Sequence, residues 1–174
     1  FFFLSLVYWY SDFGQYLWLS GEKVFVYHEY WRLFSAFAIH SSMGHLLSNG
    51  LLFILFGWYL RTYFGFKAFP LGIFVIGALT NGVTVWFYEP QVRLLGASGL
   101  VYAMVSMWIC LFIFYDRKKT LFKKVFLSLG FILVLMFPTN FSPKTSYLAH
   151  GVGFLGGGLG GLIIVAWRSV FSRR

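Results

Sequence analysis

Apolar residues fill this chain in runs near membrane-spanning length, at roughly 1–13, 42–60, 68–88, 98–115, 121–138 and 145–167, each ended by charge, proline or a glycine cluster. A helix of about 20 residues covers ~30 Å, the thickness of a bilayer's hydrocarbon core. Lipid offers no partner for backbone N–H and C=O groups, so such runs must satisfy them internally as helices. The expected fold is therefore all-α and polytopic: a six-transmembrane-helix bundle over residues 1–174, one membrane domain, with a long interfacial loop between helices 1 and 2. The composition, 59% apolar and 11% charged with a mean hydropathy of +0.75, excludes an ordinary soluble domain. The first run reaches only Tyr10 before Ser11 and Asp12 break it. Ten residues cover ~15 Å, half a bilayer core, so helix 1 is expected to begin upstream of Phe1. The run lacks the basic flank and small-residue cleavage site of a signal peptide. Cys110 is the single cysteine, which excludes a disulfide framework and a cysteine-based metal site.

Charge orients the bundle. The connections after the second and fourth runs and the C-terminal tail hold Arg61, Lys67, Arg117, Lys118, Lys119, Lys123, Lys124, Arg168, Arg173 and Arg174 against Asp116 alone. The opposite side balances Lys23, Arg32, Arg93 and Lys144 with Asp12, Glu22, Glu29 and Glu89. The positive-inside rule then places both termini in the cytoplasm. The basic excess is an address, and no nucleic-acid partner is expected. The long first connection, about 14 to 41, is rich in Trp, Tyr and Phe yet interrupted by Gly21, Glu22, Lys23 and Glu29. That pattern fits a segment lying among lipid headgroups, either as an aromatic belt or with a part in gating or substrate docking.

Polar groups inside spans single out candidate chemistry, because each is expensive in hydrocarbon unless paired. Gly96-Ala97-Ser98-Gly99 sets a serine between glycines at the mouth of the fourth run, where the backbone can turn sharply and another group can approach closely. Ser98 is the candidate nucleophile. His45 and Asn49, four apart, share a helix face in the second run, either as a functional pair or as a polar tie between helices. His40 lies nearer the surface, and Thr80 and Asn81 read as helix-packing residues. In the last run, Ala149, Gly153, Gly157 and Gly161 recur every fourth residue beside His150, and Gly99 and Ala103 answer at the same spacing. Facing small-residue stripes would let the two helices touch and bring Ser98 beside His150.

A serine hydroxyl needs a base within hydrogen-bond reach. His150 is the best placed, and the acids all lie at or beyond the ends of runs, so a Ser-His dyad is possible and a triad is not. Tyr102, one turn below Ser98, could hold the imidazole in place of an acid. His45, Asn49 and the Ser98 amide could stabilise an oxyanion, the last aided by the helix dipole. Residues 138–143 form a short loop that could cap the pocket.

These residues resemble the rhomboid family of intramembrane serine proteases. The likeness rests on Glu29-Tyr30-Trp31-Arg32, on His45 with Asn49, on Gly96-Ala97-Ser98-Gly99 with Tyr102, and on Ala149-His150 followed by Gly153 and Gly157. The resemblance implies cleavage of single-pass membrane proteins in or near their transmembrane segment. It also implies catalysis by Ser98 and His150, oxyanion stabilisation by His45, Asn49 and Ser98, no cofactor or metal, and a structural part for Trp31 and Arg32. The expected setting is a bacterial inner membrane, with the site opening outward. A related sorting enzyme that trims C-terminal membrane anchors has the same dyad and is the alternative. An inactive membrane-helix binding protein is disfavoured by the presence of both Ser98 and His150, and a transporter by polar groups clustered at one end of three helices. His40, His45 and His150 lack the carboxylate that would complete or activate a zinc site.

Overall fold

The computed structural model describes residues 1–133 and 145–171, with side chains through residue 169. Among them four helices are long and apolar enough to cross a membrane: α3 (Met43–Phe64), the segment Lys67–Phe87 that contains α4 (Ile73–Phe87), α5 (Ser98–Tyr115) and α7 (Tyr147–Phe171, apolar through Ser169). Two further helices are shorter. α1 (Phe2–Tyr10) covers nine residues, and the chain then tightens into a 3-10 turn over Asp12–Tyr16 rather than continuing to residue 13 as a single helix. α6 (Leu121–Phe131) occupies the start of the fifth apolar run, whose remainder lies, with the expected 138–143 loop, outside the described residues.

The ends of these helices follow their local chemistry. Ser42 precedes α3 and its hydroxyl accepts the His45 N–H at 3.3 Å, satisfying one of the donors that a helix start leaves without an internal partner. Gly65 ends α3 with φ at +80°, a left-handed conformation that costs glycine little, and its N–H reaches the Arg61 carbonyl. Thr120 caps α6 through the Lys123 N–H, and Ser146 stands before α7 with its hydroxyl accepting the Ala149 N–H at 3.2 Å.

α5 is the central element. More than half of its span is buried, 56% against 22–44% for the other three, and it packs on α3, α4, α6 and α7. Leu100, Val101, Ala103, Met104, Val105, Met107 and Leu111 of α5 are all buried in the main core. The broadest of its contacts is with α7. A Cβ built on Gly153 would stand 2.1 Å from the Gly99 carbonyl oxygen, and one on Gly157 would stand 2.0 Å from that of Ala103. The stripes read from sequence thus face each other, backbone against backbone. Lipid tails are as apolar as leucine, so close van der Waals packing of this kind is what joins helices in a bilayer. The outward faces carry Leu51, Ile54 and Trp58 on α3, Leu79 and Trp86 on α4, and Leu155, Leu159 and Ile163 on α7. Such continuous apolar exposure marks a membrane surface.

Between α1 and α3 the chain is neither a span nor a simple loop. Short helical turns at Glu22–Val26, Arg32–Ser35 (α2) and Ala36–Ala38 fold back on α4 and on the segment before α5. Arg32, 1% exposed, is its keystone: its guanidinium pairs with Glu29 and donates to the carbonyls of Gln15 at 3.0 Å and Trp18 at 2.7 Å. Asn81 of α4 donates to the Leu33 carbonyl at 2.9 Å, so the residue taken for helix packing ties the connection to the bundle.

Candidate active site

The nonhelical stretch before α5 is held from outside at successive points. Glu22 donates its N–H to the Pro90 carbonyl, and Leu19 and Leu94 exchange N–H···O bonds of 3.0 and 2.8 Å as an isolated antiparallel bridge. Arg93 lies over the Trp18 ring at 4.5 Å. The Gly96 N–H reaches the Ala36 carbonyl at 2.8 Å, and the Ala97 N–H reaches His40 Nε2 at 3.3 Å. Gly96 turns with φ at +107°, where a side chain would be strained, and a Cβ there would stand 2.7 Å from Cε1 of His45. This close approach is why glycine is needed at 96. The first connection and α3 together aim the chain into Ser98, the first residue of α5.

Ser98 opens on a cavity of about 660 Å³ lined also by His45, Asn49, Gly96, Gly99, Tyr102, Ala149 and His150. Seven of the nine residues proposed from sequence therefore share one space, while Gly153 and Gly157 lie behind it in the α5–α7 seam. The His150 imidazole lies flat on Tyr102, ring centroids 4.1 Å apart and planes inclined by 14°, and the Tyr147 ring meets its edge at 6.1 Å. Gly99 brings α5 close to α7 at this level, its would-be Cβ lying 3.2 Å from the Ala149 carbonyl oxygen.

On the α3 side, His45 Nδ1 is 3.2 Å from the Ser41 hydroxyl, and Asn49 donates one amide hydrogen to the His45 carbonyl at 2.9 Å. A carboxamide has two such hydrogens, which leaves Asn49 a second donor. Ser98 stands at a helix start, so its N–H has no acceptor within α5, and the aligned peptide dipoles there favour negative charge. A serine hydroxyl, an imidazole and several donors thus border one partly open space, groups of the kind that acyl transfer uses. Among the described residues no three His, Cys, Asp or Glu side chains cluster closely enough to hold a metal ion.

Two residues were passed over in the sequence. Ser146 lines the cavity, caps α7 and bonds the Tyr88 hydroxyl at 2.8 Å, tying the end of α4 to the start of α7. A serine just ahead of an apolar run is a helix-start signal that could have revealed it, whereas nothing local marks Tyr88. His40, expected near the surface, is fully buried.

Fold and site together define an integral membrane protein, built of helices with no strand among its described residues, with a polar serine- and histidine-bearing cavity. Comparison with known proteins agrees. The rhomboid domain family matches residues 27–167, and the chain belongs to that family. Rhomboid-related protein 1 of Caenorhabditis elegans is 28% identical over 183 residues, covering 91% of this chain and 51% of the relative. RHOMBOID-like proteins 5 and 2 of Arabidopsis thaliana are each 29% identical, covering 79% and 84% of this chain and 45% and 46% of their own lengths. The chain spans about half the length of these relatives. No solved structure matches it.

Proposed function

We propose that this protein is an intramembrane serine endopeptidase that cleaves single-pass membrane proteins in or near their transmembrane segment. The observation that supports this best is that Ser98 and His150 border one cavity, with the imidazole stacked on Tyr102. In this reading Ser98 Oγ attacks the scissile carbonyl as His150 takes its proton. The resulting oxyanion is met by the Ser98 N–H, the Asn49 amide and the His45 imidazole, donors already fixed before charge develops. Collapse breaks the C–N bond, and His150 returns its proton to the leaving amine. Water, activated by the same imidazole, then releases the acyl group and restores the serine. Tyr102 replaces the orienting carboxylate by fixing the plane of the imidazole.

The same reading completes a six-helix bundle with α1 and the run at 121–138 and puts the first connection, about 14 to 41, among lipid headgroups. Both termini are cytoplasmic, and the site takes water from the opposite side. A serine-directed fluorophosphonate should label the solubilised protein at Ser98. Ser98→Ala and His150→Ala should both abolish cleavage of a single-span reporter in proteoliposomes without unfolding the protein. Turnover retained in either variant refutes the dyad. Comparing membrane fragments released by wild type and by Ser98→Ala separates general cleavage from C-terminal anchor trimming.

A further inference from the structure

His40 has no part in the chemistry just described, yet it is wholly buried and fully engaged. Its Nε2 faces the Ala97 N–H at 3.3 Å, and a backbone N–H can only donate. Nε2 must therefore carry no proton, and the neutral ring must carry its hydrogen on Nδ1. That nitrogen lies 3.4 Å from the Ser5 hydroxyl, which in turn donates to the Ala38 carbonyl at 3.5 Å. Each donor along this line meets an acceptor, so the Ala97 N–H sets the direction of the whole chain and with it the tautomer. The ring is also walled by Phe1 at 5.5 Å and by the edge of His45 at 5.1 Å, while Trp9 Nε1 donates to the His40 carbonyl at 2.7 Å. Burial, followed by the nearby His45, pushes the His40 pKa down to about 4, which keeps the ring neutral near pH 7.

Two successive N–H groups, those of Gly96 and Ala97, are thus drawn toward the 36–40 segment. The next one in the chain belongs to Ser98. Holding the first two limits how the peptide that carries the third can rotate.

We propose that His40 is a positioning residue for acyl transfer, its unprotonated Nε2 anchoring the Ala97 N–H so that the Ser98 amide and hydroxyl face the cavity. This role rests on the protease reading of the site. Misplacing a reacting group by an ångström can lower a rate by ~10²-fold. His40→Leu, which removes the acceptor, should therefore lower kcat and the rate of Ser98 labelling by between ~10-fold and ~10²-fold with KM little changed. His40→Gln, which can offer an oxygen to the same N–H, should recover part of that loss.

The tautomer is read without any activity, from 15N ring shifts of histidine-labelled wild type, with the His40 signal identified by its absence in His40→Gln. A neutral ring protonated at Nδ1 supports the anchor even where His40→Leu fails to fold. A ring protonated at Nε2 at neutral pH overturns it. Labelling and turnover by His40→Leu at wild-type rates overturn the positioning role alone. A wild-type protein that Ser98-directed reagents never label overturns the protease reading first, and this role with it.

Discussion

The ring of Tyr102 covers the His150 imidazole face to face, with 4.1 Å between centroids. A stacked aromatic pair contributes roughly 0.5–1.5 kcal/mol beyond area burial. If the stack keeps the base aimed at Ser98, Tyr102→Ala should lower kcat/KM by up to about tenfold through this contact, since ~1.4 kcal/mol is a factor of ten in rate. Tyr102→Phe, which preserves the ring, should remain closer to wild type. Steady-state cleavage of a single-span reporter in liposomes distinguishes them, and equal loss in both variants would assign the effect to the hydroxyl.

Gly157 and Gly151 lie on the same helix and should respond oppositely to one added methyl group. At 157 a Cβ would meet the Ala103 carbonyl at 2.0 Å, backbone that cannot swing aside, so Gly157→Ala must part α5 from α7. Overpacking of this kind costs about 1–3 kcal/mol. At 151 nothing lies within 4 Å, and alanine there should be neutral or should stabilise by ~0.5–1 kcal/mol through helix propensity. Thermal unfolding in detergent reads both, and an undiminished Tm for Gly157→Ala would contradict the close seam.

Arg32 offers a test of the first connection. Its removal leaves the half-buried Glu29 and the carbonyls of Gln15 and Trp18 without their guanidinium partner. A hydrogen bond to a charged group typically contributes about 1.5–3 kcal/mol. Arg32→Ala should therefore lower Tm clearly, and Arg32→Lys should recover little, because an ammonium cannot span three acceptors as a planar guanidinium does.

Asn49→Ala should retain measurable turnover. Loss of one of several oxyanion donors lowers the rate by roughly 10² to 10³. Complete inactivity while Ser98 still labels would show that Asn49 does something else.

Asp116 supplies a pH signature at the start of the α5–α6 connection. The Lys119 ammonium, followed by the Lys118 and Lys119 backbone N–H groups, holds its carboxyl below the usual range. A carboxylate with a depressed folded pKa adds stability above its unfolded pKa, and that contribution disappears as pH falls through the folded value. Asp116→Asn should lower Tm slightly at neutral pH and not at all in strong acid, a small effect because the pair is solvent-screened.

Much of this architecture is legible in the sequence because lipid allows so few solutions. The runs read at 42–60, 68–88, 98–115 and 145–167 return as Met43–Phe64, Lys67–Phe87, Ser98–Tyr115 and Tyr147–Ser169. The four-residue spacing of small side chains likewise foretold the α5–α7 contact, since few residues but glycine or alanine fit between touching backbones. Illegible was whatever depends on partners distant in the chain. His40 looks superficial by position, and is buried only because Ser5 of α1 and Ala97 before α5 both close on it. The turns within 11–42 carry no periodic signal, being shaped by Arg32 reaching back to carbonyls 14 and 17 residues earlier.

The glycine seam has a consequence for how such a protein can change over time. Two backbones meshed at van der Waals distance can neither slide nor rotate by a fraction of a residue, so the relative height of Ser98 on α5 and His150 on α7 is engraved in the main chain. Side chains on the lipid-facing flanks are then free to drift with the thickness and chemistry of whatever membrane the protein inhabits. Ser98 and His150 keep their relative heights through all of it.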